Sequence, residues 1–287
     1  MDRLLGIDVG ASKIEYGMLS GGRLDGVLRI GTDRTLDSEG LAELLDGLIR
    51  GAAGVRSGRG GALAGLRAGI GVPGYVQDGK VKRLPNLPAV KPLDLRGALS
   101  RRLGIPVQVE NDVKCMALGI WHARGRRRND SFLLVAPGTG IGGAIVLDGK
   151  LLRGPHNTAG EFGHMEVGGV EWEKISGGWG IERAYWERTG RRERASAIFR
   201  RRDPAAHGVC QKAAGALGTG LAGLANALDP ERIVLSGGLA GAYLGPARAR
   251  MLKEYAARAI GPVAKTPIIR SPVPRPALLG AALLAGA

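Results

Sequence analysis

The sequence is poor in aromatic residues and in cysteine, and each scarcity argues against a class of function. Aromatic side chains form 4% of the chain and do not alternate with its basic runs, so no platform for stacking nucleic-acid bases is expected. Cys115 and Cys210 are the only cysteines, and they form no CxxC pair. A disulfide framework or a cysteine-built zinc site is therefore not expected, and a reducing cytoplasm fits.

Long apolar segments are also lacking. The longest uncharged run, 131–147, is interrupted by Pro137 and several glycines, and the C-terminal ALLGAALLAGA has only 11 residues. Both fall short of the roughly 20 continuous apolar residues of a membrane-spanning helix. The opening MDRLLGIDVG lacks the basic and apolar regions of a signal peptide. We expect a cytoplasmic protein with no membrane partner.

Acidic residues are scarce relative to basic ones. The chain has 26 Asp and Glu against 41 Lys and Arg, which gives a formal net charge of +15. Basic runs at 124–128 and 200–202 have the charge to attract nucleic acid. The alternative is a basic surface that attracts small anions such as ATP. Because no aromatic residues alternate with these runs, we favour the second interpretation and expect no specific nucleic-acid partner.

Glycine, in contrast, is abundant, and two glycine-containing segments share one layout. They are RLLGIDVGASKIEYGMLSGGRL and SFLLVAPGTGIGGAIVLDGKLL. In each, an apolar run, a small-residue loop and a second apolar run are followed by a Gly-Gly or Asp-Gly turn, which is a strong hairpin signal. Each segment therefore predicts strand, loop, strand, turn, strand, and the repetition predicts two related domains.

Helical patterns alternate with strands along the rest of the chain, which predicts an α/β fold. Helices are expected over 41–54, 92–104, 113–125 and the C-terminal ALLGAALLAGA. Strands are expected within 66–76, where the strand runs into a loop, over 105–112, and within 231–240, where a glycine turn follows. We expect a smaller N-terminal α/β domain formed by 1–112 and 271–287, and a larger C-terminal α/β domain formed by 113–270.

The loop GTGIGG (138–143) contains the G-x-G-x-x-G spacing of dinucleotide-binding folds. That fingerprint requires a helix after the loop, and here the strand-like AIVLDGKL follows, so a Rossmann site is rejected. No GxxxxGK[ST] sequence is present, which removes the P-loop class. What remains is a loop between two strands that can bring backbone N–H groups to phosphate oxygens. The alternative is a tight hairpin without a ligand.

Two further loops fit a nucleotide. In DVGASK, Asp8 ends a strand and suits Mg²⁺ held through water, while Ser12 and Lys13 are candidates to touch phosphate. Lys13 is equally consistent with a plain surface charge. The SGG loop at 236–238 can admit a flat adenine ring, or it is only a turn between strand and helix.

Polar side chains that suit a sugar lie in two other places. VEND ends a strand with Glu110, Asn111 and Asp112, where Asn can donate to and accept from a hydroxyl and Asp can take its proton. The alternative is a helix cap, because a helix follows. AGEFGH places Glu161 and His164 between glycines, and the alternative there is a charged turn.

The ordered set DVGASK, GVPGYV, PNLP, VENDVKCMALG, GTGIGG, AGEFGH and IVLSGG resembles the ROK family of sugar kinases. That family belongs to the actin-like ATPase, sugar-kinase and Hsp70 superfamily. The resemblance runs from Leu4 to the C-terminal helix. It implies two actin-like (ribonuclease H-like) α/β domains with a ligand cleft between them, and ATP-dependent phosphorylation of a hexose with Mg²⁺. It also implies a homodimer.

The resemblance assigns roles to individual residues. Asp112 corresponds to the catalytic base that activates the attacking hydroxyl. The positions that correspond to hexose-binding residues are Gly74, Asn86, Asn111, Asp112, Glu161, His164 and Glu182. The positions that correspond to the phosphate and adenosine loops, together with the Mg²⁺ carboxylate, are Asp8, Gly10, Ser12, Lys13, Thr139, Gly140, Gly237 and Gly238.

The sequence departs from the family pattern at its metal site. Family members commonly hold zinc with a histidine, here His164, and three cysteines of a CxCGxxGC motif. The matching GGVEWEKISGGWGIE has no cysteine, so zinc and any other structural metal are expected to be absent. Trp172 and Trp179 are expected to hold this loop by packing instead. Lys114, Cys115 and Ala11 also depart from the pattern, which bears on sugar preference.

The expected reaction is phosphorylation of glucose to glucose 6-phosphate. N-acetylmannosamine, fructose and allose are alternative acceptors, and a sugar-sensing protein without catalysis is an alternative function. ROK transcriptional regulators carry an additional N-terminal DNA-binding domain, for which we expect no room because Asp8 lies almost at the start.

Overall fold

A computed structural model describes residues 3–54 and 63–286 of the chain. The chain divides into two compact units. The first unit comprises 1–127, 153–158 and 273–287, and the second comprises 128–152 and 159–272. This division differs from the expected one, because the helix after Asp112 and the short segment 153–158 belong to the first unit.

The first unit is built on a five-stranded sheet with the strand order β3-β2-β1-β4-β7. Strands β1, β4 and β7 are parallel, and β2 and β3 extend the sheet as antiparallel strands. A two-stranded sheet pairs β5 with β6. The strands are β1 (Arg3–Val9), β2 (Lys13–Ser20), β3 (Arg23–Gly31), β4 (Leu66–Val72), β5 (Tyr75–Gln77), β6 (Lys80–Arg83) and β7 (Val107–Asn111). The helices are α1 (Ser38–Ala52), α2 (Leu95–Leu103), α3 (Asp112–Ala123) and α10 (Pro276–Ala285).

The second unit has a five-stranded sheet of corresponding design, with the order β10-β9-β8-β13-β14. Here β8, β13 and β14 are parallel, and β9 and β10 are antiparallel. The strands are β8 (Phe132–Pro137), β9 (Ile141–Leu147), β10 (Lys150–Leu152), β11 (Glu166–Val167), β12 (Val170–Glu171), β13 (Arg232–Leu235) and β14 (Ile268–Arg270). The helices are α4 (Glu173–Ser176), α5 (Gly178–Thr189), α6 (Ala195–Ile198), α7 (Pro204–Leu228), α8 (Ala240–Leu244) and α9 (Arg248–Ala256), with 3₁₀ turns at Phe162–His164 and Gly261–Lys265.

The two sheets confirm the repeat seen in the sequence. In each unit an antiparallel three-stranded meander begins the sheet, and the glycine-containing loop lies between its first two strands. The predicted turns are tight: Gly21 and Gly22 have φ of 55° and 78°, and Asp148 and Gly149 have 47° and 65°. These left-handed values are those of type I′ hairpin turns.

Helix α10 packs closely against the sheet of the first unit because glycines in the strands leave room for its backbone. A Cβ at Gly69 on β4 would lie 1.9 Å from the carbonyl oxygen of Ala281, and one at Gly6 on β1 would lie 2.6 Å from that of Leu278. A Cβ at Gly280 would similarly lie 1.6 Å from the carbonyl oxygen of Cys115. These close approaches bind α3 and α10 into one layer. Both helices belong to the first unit, where 271–287 was expected, whereas α3 was expected in the second.

The second unit is centred on α7, whose buried residues include Val209, Leu217 and Leu221. The helix begins where the Asp203 carboxylate accepts from the backbone N–H of Ala206, and it ends before Pro230, which cannot continue a helix. Among the described residues, no helix combines the length and the apolar character needed to cross a membrane.

Candidate functional site

The loop after β1 is closed by its own backbone. The N–H of Gly10 donates to the carbonyl oxygen of Lys13 (2.9 Å), and the hydroxyl of Thr32 donates to that of Gly10 (2.9 Å). A Cβ at Gly10 would lie 2.8 Å from the Lys13 carbonyl, so the turn favours glycine there. Ser12 is exposed at the tip. The loop predicted from DVGASK is therefore present, with the hydroxyl facing solvent.

Asp8 lies near the end of β1, just before the buried Val9, and it is the unusual carboxylate next to this loop. The pKa of Asp8 is raised to about 6. Burial is the largest cause. The negative charge of Glu15 adds to the rise, and the smaller effect of the Lys13 charge opposes it. A carboxylate that is desolvated and under-compensated gains most from a nearby cation. Asp8 thus fits the Mg²⁺ role expected from the sequence.

Lys13 has a partner that the sequence did not predict. Its ammonium group lies 2.7 Å from a carboxylate oxygen of the buried Glu15, which also binds Arg29 (2.8 Å) and Arg275 (3.3 Å). Burial opposes ionisation of Glu15, but these three cations outweigh it and lower its pKa to about 2. The structure thus gives Lys13 a structural ion pair, and contact with phosphate remains a prediction for it.

The polar end of β7 organises the start of α3. The Asn111 carboxamide oxygen accepts from the N–H groups of Val113 and Lys114 (both 3.0 Å), and its amide nitrogen donates to the carbonyl oxygen of Gly74 (3.0 Å). The Asp112 carboxylate accepts from the N–H of Val113 (2.9 Å). The helix-cap interpretation is therefore correct for Asn111. The same hydrogen bonds fix the position of Asp112 as the first residue of α3.

Gly74 lies next to Asn111, whose amide nitrogen donates to the Gly74 carbonyl oxygen. Its φ is 110°, and a Cβ there would lie 2.3 Å from the carbonyl oxygen of Arg83, so glycine is needed on both counts. Asn86 lies on the turn that follows β6, and it is partly buried. Its carbonyl oxygen accepts from the Arg34 side chain. The hydrogen bonds described for Asn86 do not connect it to Asn111.

A buried network behind Asn111 was missed by the sequence reasoning. Glu110 is 4% exposed and accepts from the N–H of Asn111 (2.9 Å), from Asn157 (2.8 Å) and from Arg153 (2.9 Å). Lys114 is buried and donates to the carbonyl oxygen of Asn157 (2.8 Å). The network ties segment 153–158 to the first unit. Asp112 therefore follows directly after a strand end that these hydrogen bonds hold in place.

In the second unit, the loop between β8 and β9 is held by the segment that follows β12. The carbonyl oxygens of Gly138 and Thr139 accept from the N–H groups of Gly178 (2.8 Å) and Trp179 (3.0 Å). The Glu173 carboxylate accepts from the N–H of Ile141 (3.3 Å) and lies 2.3 Å from where a Cβ at Gly140 would be. These hydrogen bonds hold the loop in place, and Thr139 remains exposed.

Gly143, the last glycine of GTGIGG, serves packing. A Cβ at Gly143 would lie 2.1 Å from the ring of Phe162 and 2.6 Å from the carbonyl oxygen of Gly160. The AGEFGH turn therefore packs directly against β9. This contact explains Gly143 without any ligand.

A pocket of about 370 Å³ opens over the exposed part of this loop, and we call it the glycine-loop pocket. It is lined by Gly138, Thr139, Gly178, Trp179, Glu182, Arg194, Ala195, Ser196, Gly238 and Leu239. The pocket unites two of the candidate nucleotide loops, those at 138–140 and 236–238. Gly237 has a φ of 85°, and a Cβ at Gly238 would meet nothing within 4 Å. The backbone at Gly238 is accordingly open to a ligand.

Glu182 lies in this pocket, beside Thr139 and Gly238. Its carboxylate accepts from the N–H of Ala195 (3.0 Å), which anchors the start of α6. Sequence reasoning assigned Glu182 to the sugar, and that role remains a prediction. Arg194 is a pocket residue that the sequence did not single out.

Glu161 and His164 frame the 3₁₀ turn, and both are exposed. His164 Nδ1 lies 2.5 Å from Glu171, whose other oxygen binds Lys174 (2.7 Å). The hydrogen bond to Glu171 raises the pKa of His164 above its usual value, burial opposes this, and the charges of Glu173, Glu171 and Glu161 add to the rise. His164 is thus hydrogen-bonded to a carboxylate of β12.

The donors around His164 differ from those of the zinc site that the family resemblance implies. His164, Glu171 and Glu173 each place one potential ligand atom within 4.8 Å of the others, but none is a thiolate. Both carboxylates already accept hydrogen bonds, from Lys174 and His164 and from Ile141. Trp172 is fully buried beneath the segment, against Gly220 of α7. The donor set does not fit a cysteine-type zinc site.

Comparison with known proteins agrees with the fold and the motifs. The ROK family model matches residues 4–287. A ROK hexokinase structure from Thermus thermophilus is 31% identical, with a TM-score of 0.79 and coverage of 99% of this chain and 98% of that one. A ROK glucokinase from Streptomyces griseus, in complex with glucose and AMPPNP, is 26% identical, with a TM-score of 0.77 and 99% of each chain covered.

A third relative is similar over part of its length. The N-acetyl-D-glucosamine kinase of Vibrio cholerae is 34% identical over 169 residues, which are 56% of this chain and 52% of that protein. These likenesses confirm the expected α/β class and its two-sheet design.

Proposed function

This chain belongs to the ROK family, and from that premise we propose that it is an ATP-dependent kinase that phosphorylates a hydroxyl of a hexose. The observation that carries the proposal is the glycine-loop pocket. There an exposed loop between two strands and the open backbone at Gly238 line a single pocket.

On the donor side, the loop is proposed to offer the backbone N–H groups of Thr139 and Gly140 and the Thr139 hydroxyl to phosphate oxygens. The N–H of Gly138 already donates to the carbonyl oxygen of Gly140 (2.9 Å). The loop is held from below by Gly178, Trp179 and Glu173, so it needs little reorganisation when phosphate binds. Such preorganised donors supply most of the catalysis in phosphoryl transfer. Gly237 and Gly238 are proposed to pass beneath the adenosine.

On the acceptor side, Asp112 is proposed to take the proton of the attacking hydroxyl. The cap formed by Asn111 and the Glu110 network fix the position of its backbone. A base held in this way contributes about 10²–10⁴-fold to rate. Asn111, Gly74, Asn86, Glu161, His164 and Glu182 are proposed to hold the remaining hydroxyls.

Asp8 is proposed to hold Mg²⁺ through water, because its raised pKa marks a carboxylate that lacks sufficient compensating charge. When bound, Mg²⁺ neutralises charge that develops on the phosphoryl oxygens. We also propose that the 164–174 segment needs no zinc, since hydrogen bonds among His164, Glu171 and Lys174 hold it.

Glucose is proposed as the acceptor, supported by the S. griseus enzyme that binds it. N-acetylglucosamine is the second candidate acceptor, because the V. cholerae relative is an N-acetyl-D-glucosamine kinase. N-acetylmannosamine and fructose are further candidates.

Steady-state kinetics with a panel of hexoses and N-acetylhexosamines test the proposal, with ATP and Mg²⁺ as donor. We expect the highest kcat/KM with glucose, measured as ADP release and as sugar phosphate formed. A higher value with N-acetylglucosamine would replace the acceptor but keep the kinase. No turnover with any sugar would overturn the kinase.

A further inference from the structure

A further pocket lies among β12, α4, α5 and α7 of the second unit, and we call it the α5 pocket. Its volume is about 380 Å³. Small-molecule sites in proteins range over roughly 300–1,000 Å³, so the pocket can hold an organic ligand of modest size. The proposed kinase reaction gives this pocket no substrate to bind.

The floor of the α5 pocket is apolar. Val209 and Ala213 of α7 line it and are buried, and Ile175 and Ala184 line it and are partly buried. Contact with such side chains removes the apolar surface of a ligand from water, which favours binding near room temperature. The floor therefore favours a ligand with an apolar body.

The charged side chains of the pocket are exposed and mostly basic. They comprise four cations and one carboxylate: Lys174, Arg183, Arg188, Lys212 and Glu187. Two of the cations are already paired. The ammonium group of Lys174 lies 2.7 Å from a carboxylate oxygen of Glu171, and the guanidinium group of Arg183 lies 2.7 Å from one of Glu187. The charge that remains for a ligand comes from the other two cations.

Arg188 and Lys212 supply this uncompensated positive charge. Among the residues that the structure describes, neither has an ion pair or a side-chain hydrogen bond. A terminal nitrogen of Arg188 lies 2.9 Å from where a Cβ at Gly208 would be, so this side chain lies against the backbone of α7. A guanidinium group matches the oxygens of carboxylates, sulfonates and phosphates. The pocket thus combines an apolar floor with two cations that suit one anionic group.

The α5 pocket adjoins the segment that holds the glycine loop. Trp179 lines both this pocket and the glycine-loop pocket, and its N–H donates to the carbonyl oxygen of Thr139 (3.0 Å). Glu173, which accepts from the N–H of Ile141, immediately precedes Lys174. A ligand in the α5 pocket therefore contacts both elements that hold the loop, α4 and α5.

We propose that the α5 pocket is an effector site that binds a small organic anion with an apolar body, and that its occupancy strengthens nucleotide binding at the glycine loop. The anionic group lies on Arg188 and Lys212, and the apolar body lies on Val209 and Ala213. Because the ligand contacts the elements that hold the loop, it favours the arrangement of the loop described above, and nucleotide then binds to a loop already in place. The binding of the anion is independent of the proposed kinase function, whereas the effect on nucleotide rests on it.

The binding test uses a matched pair of fluorescent probes with the full chain. Anilinonaphthalene sulfonate has an apolar body and one anionic group, and N-phenylnaphthylamine has the same body without the charge. We expect the sulfonate probe to bind with a dissociation constant on the order of tens of micromolar, as about twenty non-hydrogen atoms permit.

Lys212→Ala removes one cation of the pocket, and Lys253→Ala is the matched control, because Lys253 is an exposed lysine of α9 that does not line it. We expect Lys212→Ala to weaken the sulfonate probe about tenfold, the loss of a charge-assisted hydrogen bond, and to leave the neutral probe within about twofold. Lys253→Ala should leave both probes within about twofold, since surface charges act weakly on distant groups. Ala184→Leu adds volume to the floor and should weaken both probes without changing the circular dichroism spectrum.

The effect on nucleotide is measured by calorimetric titration of AMPPNP and Mg²⁺ with and without saturating sulfonate probe. We expect the dissociation constant of AMPPNP to fall about fivefold, a usual size for coupling between two sites. The dissociation constant of the probe must fall by the same factor when AMPPNP is bound, because coupling is reciprocal.

Displacement of the sulfonate probe by AMPPNP would place the probe in the glycine-loop pocket and overturn the proposal, as would equal loss of affinity in Lys212→Ala and Lys253→Ala. A changed subunit number of Lys212→Ala in light scattering would assign this face to contact between copies of the chain and overturn the small-ligand site. Probe binding that leaves the affinity for AMPPNP unchanged would overturn the effector role. Failure of AMPPNP to bind at all would overturn the nucleotide site of the proposed kinase, and with it the effector role, but not the anion site.

Discussion

At the scale of single residues, the charges of the first loop are unequally compensated. Three cations surround Glu15 and lower its pKa to about 2, whereas burial raises the pKa of neighbouring Asp8 to about 6. One carboxylate is fixed as part of the structure, and the other is poised to bind a cation. The sequence showed both acids but not which of them Lys13 would pair with.

The Mg²⁺ requirement should therefore depend on pH through Asp8. Asp8 must lose its proton to bind the cation, so its pKa of about 6 predicts that the apparent KM for Mg²⁺ rises as pH falls below that value. For one proton, the KM at pH 5 should be about fivefold that at pH 6. Asp8→Asn should raise this KM and remove its pH dependence, whereas Asp25→Asn, at an exposed position of β3, should leave both unchanged. A flat profile in the unsubstituted enzyme would contradict the role.

Residue roles could be predicted from the sequence only where a motif is local. Asn111 ends β7 and Asp112 begins α3, and their side chains cap the helix through the next few residues. The bonds from Asn157 and Arg153 to Glu110 span 47 and 43 positions. Such pairings depend on the tertiary fold, so no spacing rule identifies them.

At the scale of elements, both three-stranded meanders were predictable because alternating apolar residues and Gly-Gly or Asp-Gly turns fix their register. The short pairs β5–β6 and β11–β12 were not, since two to four residues carry no periodic signal. The C-terminal helix was expected in the first domain, but the close packing of α10 was not predictable, because it depends on glycines in distant strands.

Replacing one of those glycines should destabilise the protein. Gly69→Ala would place a methyl group 1.9 Å from the carbonyl oxygen of Ala281, and overpacking of this kind costs about 1–3 kcal/mol or more. Gly47→Ala, on the exposed side of α1 with no neighbour within 4 Å, should instead stabilise the helix by about 1 kcal/mol. Urea unfolding measures both. Equal midpoints for the two variants would show that α10 is not packed as described.

The 164–174 segment should be stabilised by charge without zinc. The pKa of His164 is raised by Glu171, so the interaction is fully present below the unfolded value of 6.5 and is lost as pH rises through the higher folded value. The melting temperature should therefore fall over that interval in the unsubstituted protein and fall less in His164→Gln. His207→Gln, an exposed histidine on α7, serves as the control and should keep the full slope.

Elemental analysis completes this test. We expect no stoichiometric zinc in the purified protein and no change of melting temperature with a chelator. One zinc per chain, lost in His164→Gln, would contradict the metal-free account.

At the scale of the whole molecule, the sequence predicted two related α/β units but misplaced their boundary. The strand periodicity that ends at residue 111 resembles a domain end, whereas the packing of α3 on α10 carries the first unit to residue 127. The segment 153–158 returns to the first unit through Asn157 and Arg153. Only three-dimensional contacts define such a division.

The turnover of Asp112→Asn tests most directly whether Asp112 is the catalytic base. Asparagine retains an oxygen to accept from the N–H of Val113, so the cap and the fold should persist, as circular dichroism would verify. We predict that kcat with ATP and glucose falls by about 10²–10⁴-fold, because the base is lost, while the dissociation constant for the sugar changes little. A variant that keeps turnover within about threefold of the original, a change too small for loss of a general base, would contradict the account.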